Sequence, residues 1–407
     1  MRKRQLLVTL SVLGLAAAVT PIVGAGAAER SRTSLSRAVV KQGVSRISTV
    51  SPATTQPKDA EDEKGEEEST NAGRDIQVKA DRISKSVLSQ VVTFTVRNVN
   101  NSKLSCPTDA KQYNIRGHIV GPRKATKSNA VTLYLHGLEL GEFFWTYPVN
   151  GVSFADRMAL AGHTSVVIDR LGYDSSGKPD GMASCLGGQA DIAHQIVDSL
   201  RAGNYQLSAG QAESFSRVVL AGHSAGGLLA ELTAVSFGNV DGIIVASYSD
   251  TILSDAGKAA AAANAAICAT GGRPTEGGAF PNGYAPFAPT LDAFRAGFFL
   301  SAAAQDVDAI SELRNLNPCG DTATFAAAGA VNTQLIGALT IPVLVIIGKE
   351  DALFPPPSGP TQRSLFTNSR RASLVELSPS SHGVTVEATA PQFAAAIANW
   401  LESAPYK

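Results

Sequence analysis

Ser224 stands between two glycines in the stretch AGHSAGG, Ala221 to Gly227, directly after the apolar run Val218-Val219-Leu220. The spacing is G-x-S-x-G, with strand-like residues before it and the helix-like run GLLAELTAV after it. Glycines at these places allow a sharp bend and close backbone approach, which holds a serine hydroxyl clear at the end of a strand. A serine that only made a tight turn would need the same glycines. The strand before and the helix after point instead to a nucleophile. A hydroxyl attacks a carbonyl only when a base takes its proton. Of the six histidines, His118, His136, His163, His194, His223 and His382, only His382 follows Ser224. It lies in SPSSHGVT, after the apolar run SLVEL and before a C-terminal helical pattern. His223 adjoins the serine, but neighbours on a tight bend are expected to point apart. His118 in an early strand and His194 on a helix read as structural or solvated. A third group must hold the histidine's tautomer and stabilise its charged form. Asp351 closes IPVLVIIGKED at the end of the penultimate strand, one step further into the loop than Glu350. Asp250, after GIIVASYS, is the alternative acid.

Residues so far apart in sequence meet only if a framework brings the ends of several strands to one edge. VVTFTVRN and YNIRGHIVG alternate apolar and polar residues and read as paired antiparallel strands. AVTLYLHG, TSVVID, RVVLAG, GIIVASY, IPVLVIIG and SLVEL are continuous apolar runs, the pattern of parallel strands covered on both faces. Ile192, Ile196, Val197 and Leu200 share one helical face, as do Phe393, Ile397, Trp400 and Leu401. The expected fold is α/β: an eight-stranded, mostly parallel sheet with helices on both faces. Residues 251–338 break the rhythm. They are Ala-rich and helix-like, with no clear strand, and include Phe280, Phe287, Phe294, Phe298 and Phe299. That length is too great for a connection and reads as an inserted helical cap between core segments 86–250 and 339–407. Its phenylalanines could pack a core or line an apolar pocket.

Residues 1–28 read as an export signal, with Arg2-Lys3-Arg4, the apolar stretch Leu6 to Leu15, Pro21, and small residues for cleavage near Ala27 or Ala28. An uncleaved anchor is the rival reading, since Leu6 to Ala28 is almost long enough to span a membrane. Cleavage would leave no other apolar run of that length. Residues 29–85, with the charge run KDAEDEKGEEES, read as a disordered linker or propeptide. Four cysteines in an exported chain suggest two disulfides rather than four buried thiols, and three pairings are possible. Cys268–Cys319 is favoured because both lie in the inserted segment, which leaves Cys106–Cys185. None has metal-like spacing. Formal net charge is zero, with 35 basic and 35 acidic residues and no basic stripe, so nucleic acid is not an expected partner. Asn100-Asn101-Ser102 is a glycosylation acceptor pattern, meaningful only in a eukaryotic host.

The order Ser224, Asp351, His382 is similar to that of the α/β-hydrolase superfamily, and the chain resembles it over roughly residues 88–407. GHSAGG, LHGLELG, IDRLGYDSSGKPDG, GKED and SSHG carry the resemblance. It implies an oxyanion hole from the backbone N–H groups of Leu138 and Ala225, with His136-Gly137 shaping the loop. HGLELG lacks the three-glycine run of some lipases. The expected activity is that of a secreted serine hydrolase, a carboxylesterase working through an acyl-enzyme on Ser224. Its partner would be a small-molecule or lipid-like ester, and it would need no metal or organic cofactor. A lipase or a serine peptidase would use the same triad, and cofactor-free perhydrolase activity could accompany the esterase activity. A catalytically dead binding protein could keep the same fold. Epoxide and haloalkane hydrolases of the superfamily use an aspartate nucleophile, which Ser224 argues against.

Overall fold

The computed structural model describes residues 83, 85–124, 129–272 and 282–403. The expected export signal, almost all of segment 29–85, and Phe280 lie outside the described residues. The chain order begins with β1 (Val87–Arg97), β2 (Gln112–Pro122), β3 (Ala130–Leu135), α1 (Phe154–Leu160), β4 (Thr164–Ile168), α2 (Leu186–Ala202), β5 (Gln206–Leu207), β6 (Arg217–His223), α3 (Ala225–Phe237) and β7 (Gly242–Ala246). The segment that follows holds α4 (Asp255–Ala269), β8 (Tyr284–Ala285), α5 (Leu291–Phe298), α6 (Ala304–Glu312), β9 (Asn317–Pro318), α7 (Cys319–Ala323) and α8 (Phe325–Leu335). The chain then returns to the sheet as β10 (Val343–Gly348), α9 (Ser358–Leu365), β11 (Ala372–Leu377) and α10 (Ala390–Glu402).

The main sheet has nine strands in the order β11-β10-β7-β6-β3-β4-β2-β1-β5. From β11 to β4 every neighbouring pair is parallel, and β2, β1 and β5 join antiparallel. Eight strands were expected. The ninth is the two-residue β5, which pairs with Val92 and Thr93 and is too short to show a period in sequence. Segment 251–338, where no clear strand was expected, holds the β8–β9 pair, which is as short: it joins only Tyr284 to Pro318 and Ala285 to Asn317.

Burial explains the two strand patterns. All six residues of β10 are buried, as are all five of β7, because helices cover both faces. In β1 only alternate residues such as Val92, Phe94 and Val96 go inside. Ile192, Ile196, Val197 and Leu200 of α2, and Phe393, Ile397, Trp400 and Leu401 of α10, are all buried. Each such side chain contributes about 1.5–3 kcal/mol.

Two disulfides form, Cys106–Cys185 and Cys268–Cys319. They close loops with sequence separations of 79 and 51 residues, for which chain entropy alone predicts about 4 kcal/mol each. The Asn100 amide is committed to the carbonyls of Leu104 and Cys106, so the acceptor pattern there serves as a local turn. Among the described residues no helix is long and apolar enough to cross a membrane.

Candidate active site

The parallel register brings the ends of β6, β7, β10 and β11 to one edge: His223 lies opposite Ala246, Ala246 opposite Ile346, and Gly348 opposite Leu377. Ser224 follows β6, Asp351 follows β10 and His382 follows β11. Ser224 adopts φ 55° and ψ −122°, a left-handed conformation for a non-glycine residue. Such a residue costs on the order of 1–3 kcal/mol and persists only where its surroundings fix it. Here the Ser224 N–H donates to the Ala246 carbonyl at 2.9 Å, and its carbonyl accepts from Gly227 at 2.8 Å. The flanking glycines are required by space. A Cβ on Gly222 would sit 1.9 Å from the Gly226 oxygen, and one on Gly226 would sit 2.1 Å from the Leu135 oxygen.

His382 and Asp351 are both buried, and the His382 Nδ1–H donates to the Asp351 carboxylate at 2.9 and 3.2 Å. The Asp351 Oδ1 also accepts from the backbone of Leu353 and Phe354, each at 2.9 Å, which fixes the carboxylate in its turn. The other ring nitrogen, His382 Nε2, is buried and has no hydrogen-bond partner. Phe298 packs edge-on to the ring, with centroids 4.8 Å apart, and Phe354 stacks at 5.6 Å. These two phenylalanines line a cavity of about 140 Å³ together with Ser224, Leu138, Leu253 and Phe325. Its walls are apolar apart from the Ser224 and Thr322 hydroxyls. Phe287 and Phe298 of the inserted segment therefore face this cavity, whereas Phe294 is wholly buried.

Leu138 and Ala225 flank the same place, since Leu138 lines the cavity and Ala225 is the first residue of α3. Among the described residues no hydrogen-bond acceptor takes the backbone N–H of either. His136 is buried, with Nδ1–H donating to the Gly137 carbonyl at 2.8 Å and Nε2 accepting from the Arg170 backbone at 3.0 Å. Burial holds its pKa well below the ordinary histidine value, with the nearby Arg170 charge acting the same way, so the ring is neutral.

Asp250 is placed elsewhere. Its carboxylate accepts from Tyr248 at 2.9 Å and from Gln362 at 2.8 Å, and Gln362 also donates to buried Glu231 at 2.6 Å. Burial and the facing Asp250 push Glu231 well above the usual carboxylate range. Glu350 binds Ser378 and Ser380. His118 pairs with Glu142, and His194 stacks on Phe237 and meets Asn239, both away from the cavity.

Several residues that hold this site were not singled out in sequence. His223 is the first. Its Nε2–H donates to the His382 carbonyl at 2.8 Å, and its ring lies 4.6 Å from that of His382, so it supports the histidine loop from below. Glu387 is the second: it accepts from the N–H groups of Leu300, Ser301 and Ser381. Third, buried Arg170 donates to Asp321 of the inserted segment at 2.9 Å. Fourth, Glu139, buried in HGLE, pairs with Arg314 at 2.5 Å. The available signal was a charged residue inside an otherwise apolar motif, but its partner lies far along the chain. Among the described residues no group of three or more His, Cys, Asp or Glu side chains is arranged to hold a metal ion.

Residues 133–396 match the sequence model of the Alpha/beta hydrolase family. No curated protein matches the chain in sequence. Among solved structures, a thermophilic esterase from Thermogutta terrifontis in its malate-bound form is 16% identical with a TM-score of 0.53, covering 76% of this chain and 98% of its own. An esterase from Exiguobacterium antarcticum is 16% identical at TM-score 0.53, covering 75% and 98%. A bromoperoxidase from Bacillus anthracis is 17% identical at TM-score 0.54, covering 76% and 100%. Identities so low speak to the fold, and the different activities named on it show that the fold does not choose the chemistry. The family match spans the Ser224 bend and both loops that carry Asp351 and His382: the chain belongs to the alpha/beta hydrolase family.

Proposed function

We propose that the protein is an exported serine hydrolase that cleaves carboxylic esters through an acyl-enzyme on Ser224. The observation that carries this reading is the buried Asp351–His382 pair. Asp351 takes the His382 Nδ1–H and thereby fixes the tautomer, leaving a bare Nε2 lone pair at the edge where Ser224 is held on its strained bend. A buried ring nitrogen without a partner costs about 1–3 kcal/mol, and a serine hydroxyl is the donor that chemistry would supply there. In the reaction the hydroxyl proton passes to His382 Nε2 as Ser224 Oγ attacks the ester carbonyl. The Leu138 and Ala225 N–H groups receive the oxygen as it becomes negative. His382 then returns the proton to the leaving alcohol. Water, activated by the same nitrogen, clears the acyl group. Asp351 stabilises the imidazolium in both half-reactions. The inserted segment acts as a cap that supplies the apolar wall for the substrate. The two disulfides favour an oxidising compartment, in keeping with the export signal read at residues 1–28.

A chromogenic ester series from acetyl to palmitoyl, run on the purified protein and on Ser224→Ala, tests this. The expected outcome is turnover that falls to background in the variant, a loss on the order of a million-fold in kcat, with the fold retained. Near-wild-type turnover by Ser224→Ala would remove the mechanism. Folded protein that cleaves no ester would move the reading to a peptide bond or to a binding role.

A further inference from the structure

The loop that offers the Leu138 N–H is held by the inserted segment through the residue that follows it, Glu139. Three consecutive peptide groups are fastened there. The Gly137 carbonyl accepts from His136 Nδ1 at 2.8 Å, and in a trans peptide the N–H of Leu138 then points the opposite way. The Glu139 N–H donates to Asn317 Oδ1 at 2.6 Å, and its carbonyl accepts from the Asn315 N–H at 2.8 Å. Glu139 itself has φ 62°, a conformation for which glycine is the usual residue. Glycine could make the bend but could not hold it. The Glu139 carboxylate, fully buried, accepts from Arg314 Nη2 at 2.5 Å and from the Phe287 N–H at 3.0 Å. Arg314 in turn lies over the Phe294 ring at 4.7 Å and donates to the Ala288 carbonyl. The partners of this loop thus come from two places in the inserted segment: Phe287 and the contiguous stretch Arg314–Asn317.

We infer that Glu139, clamped by Arg314 and the Phe287 N–H, is a positioning residue for the oxyanion hole, setting the direction of the Leu138 N–H. The inference rests on the esterase reading above. In consequence the inserted segment does more than cover the substrate. It completes the electrostatic part of the site, so releasing the clamp harms the transition state and leaves ester binding nearly untouched.

The test compares wild type, Glu139→Ala, Glu139→Gln and Arg314→Gln on an acetyl ester, with Ser224→Ala as the control. Removing an oxyanion donor outright costs on the order of 100- to 1,000-fold in kcat. Misdirecting one in Glu139→Ala should cost about 10- to 100-fold, with KM within about threefold. An alkyl trifluoromethyl ketone, which forms an oxyanion on the nucleophile, should lose affinity in the same proportion as kcat/KM. Glu139→Gln keeps an oxygen for both N–H donors and should recover most of the rate. If Glu139→Ala does not fold, Arg314→Gln carries the test, with a kcat loss of about tenfold expected at unchanged KM. A Ser224-dependent rate that ignores both Glu139→Ala and Arg314→Gln overturns this inference alone, as does a loss confined to KM. A rate that survives Ser224→Ala, or no ester turnover by wild type, overturns the esterase reading and this inference with it.

Discussion

Two carboxylates follow neighbouring strands of the same sheet, and they meet different partners. Asp250 follows β7 and Asp351 follows β10, both at the edge where Ser224 stands. Asp351 meets a histidine ring and two backbone N–H groups. Asp250 meets a phenol, an amide, and a second carboxyl group on the helix that follows Ser224. The difference lies in what each loop faces. His382 follows the outermost parallel strand, β11, and among the described residues β10 is that strand's only neighbour. An acid on β10 reaches the next loop's ring directly, whereas one on β7 would have to reach across an intervening strand. Free of the histidine, Asp250 packs against Glu231. Position at the sheet edge makes an acid available, and what its loop faces decides whether it meets a histidine or another carboxyl group.

The sharpest way to break this comparison is to remove each charge in turn. Asp351→Asn should lower kcat by about 10⁴-fold, because an amide there accepts the wrong histidine tautomer. Asp250→Asn should leave kcat within a few-fold. Steady-state kinetics on one ester would read both, and the reverse ranking would exchange the two assignments.

That the Asp351–His382 pairing was legible in sequence while its supports were not follows from the range of the signal. The Ser224 bend is written in seven contiguous residues, since glycine spacing and strand-to-helix change are local. His382 could be found because no other histidine follows the serine. The long apolar strands announced a parallel sheet through burial on both faces. By contrast, Glu139–Arg314 and Arg170–Asp321 join residues more than 140 positions apart, and nothing local says which buried charge takes which partner. His223 was expected to point apart from its neighbour Ser224. Its ring reaches the His382 carbonyl, a contact that depends on how β6 and the β11 loop stack. The two-residue strands β5, β8 and β9 carry too few residues for any period.

The structural half of the comparison can be broken at Gln362. Its amide N–H₂ bridges Glu231 and Asp250, and its oxygen accepts from the Asp250 N–H at 2.8 Å. Gln362→Leu would remove the amide that both carboxyl groups share, leaving Glu231 with Asn332 and Asp250 with Tyr248, a loss of about 2–4 kcal/mol. Urea unfolding should show a lower midpoint at unchanged slope, while the folded fraction keeps its turnover. A midpoint equal to wild type would mean the pair needs no bridge.

The smallest effect is also the most diagnostic, because it depends on a proton. Burial pushes Glu231 well above its ordinary value and raises Asp250 as well, so the folded state keeps a proton that the unfolded chain releases in the ordinary carboxylate range. Stability from this pair is fully present below that range and is lost as pH rises through the folded-state value. The buried, neutral His136 and His223 act in the opposite sense. Their lowered values mean that stability is lost as pH falls, so the bare pH curve of the wild type mixes both trends. Glu231→Gln separates them. Glutamine resembles the protonated acid and cannot ionise, and the histidines are untouched. The melting temperature of Glu231→Gln relative to wild type should therefore climb steadily as pH rises above the ordinary carboxylate range. A difference that stays constant with pH would mean that no proton is held between Glu231 and Asp250, and that the two loops differ in geometry alone.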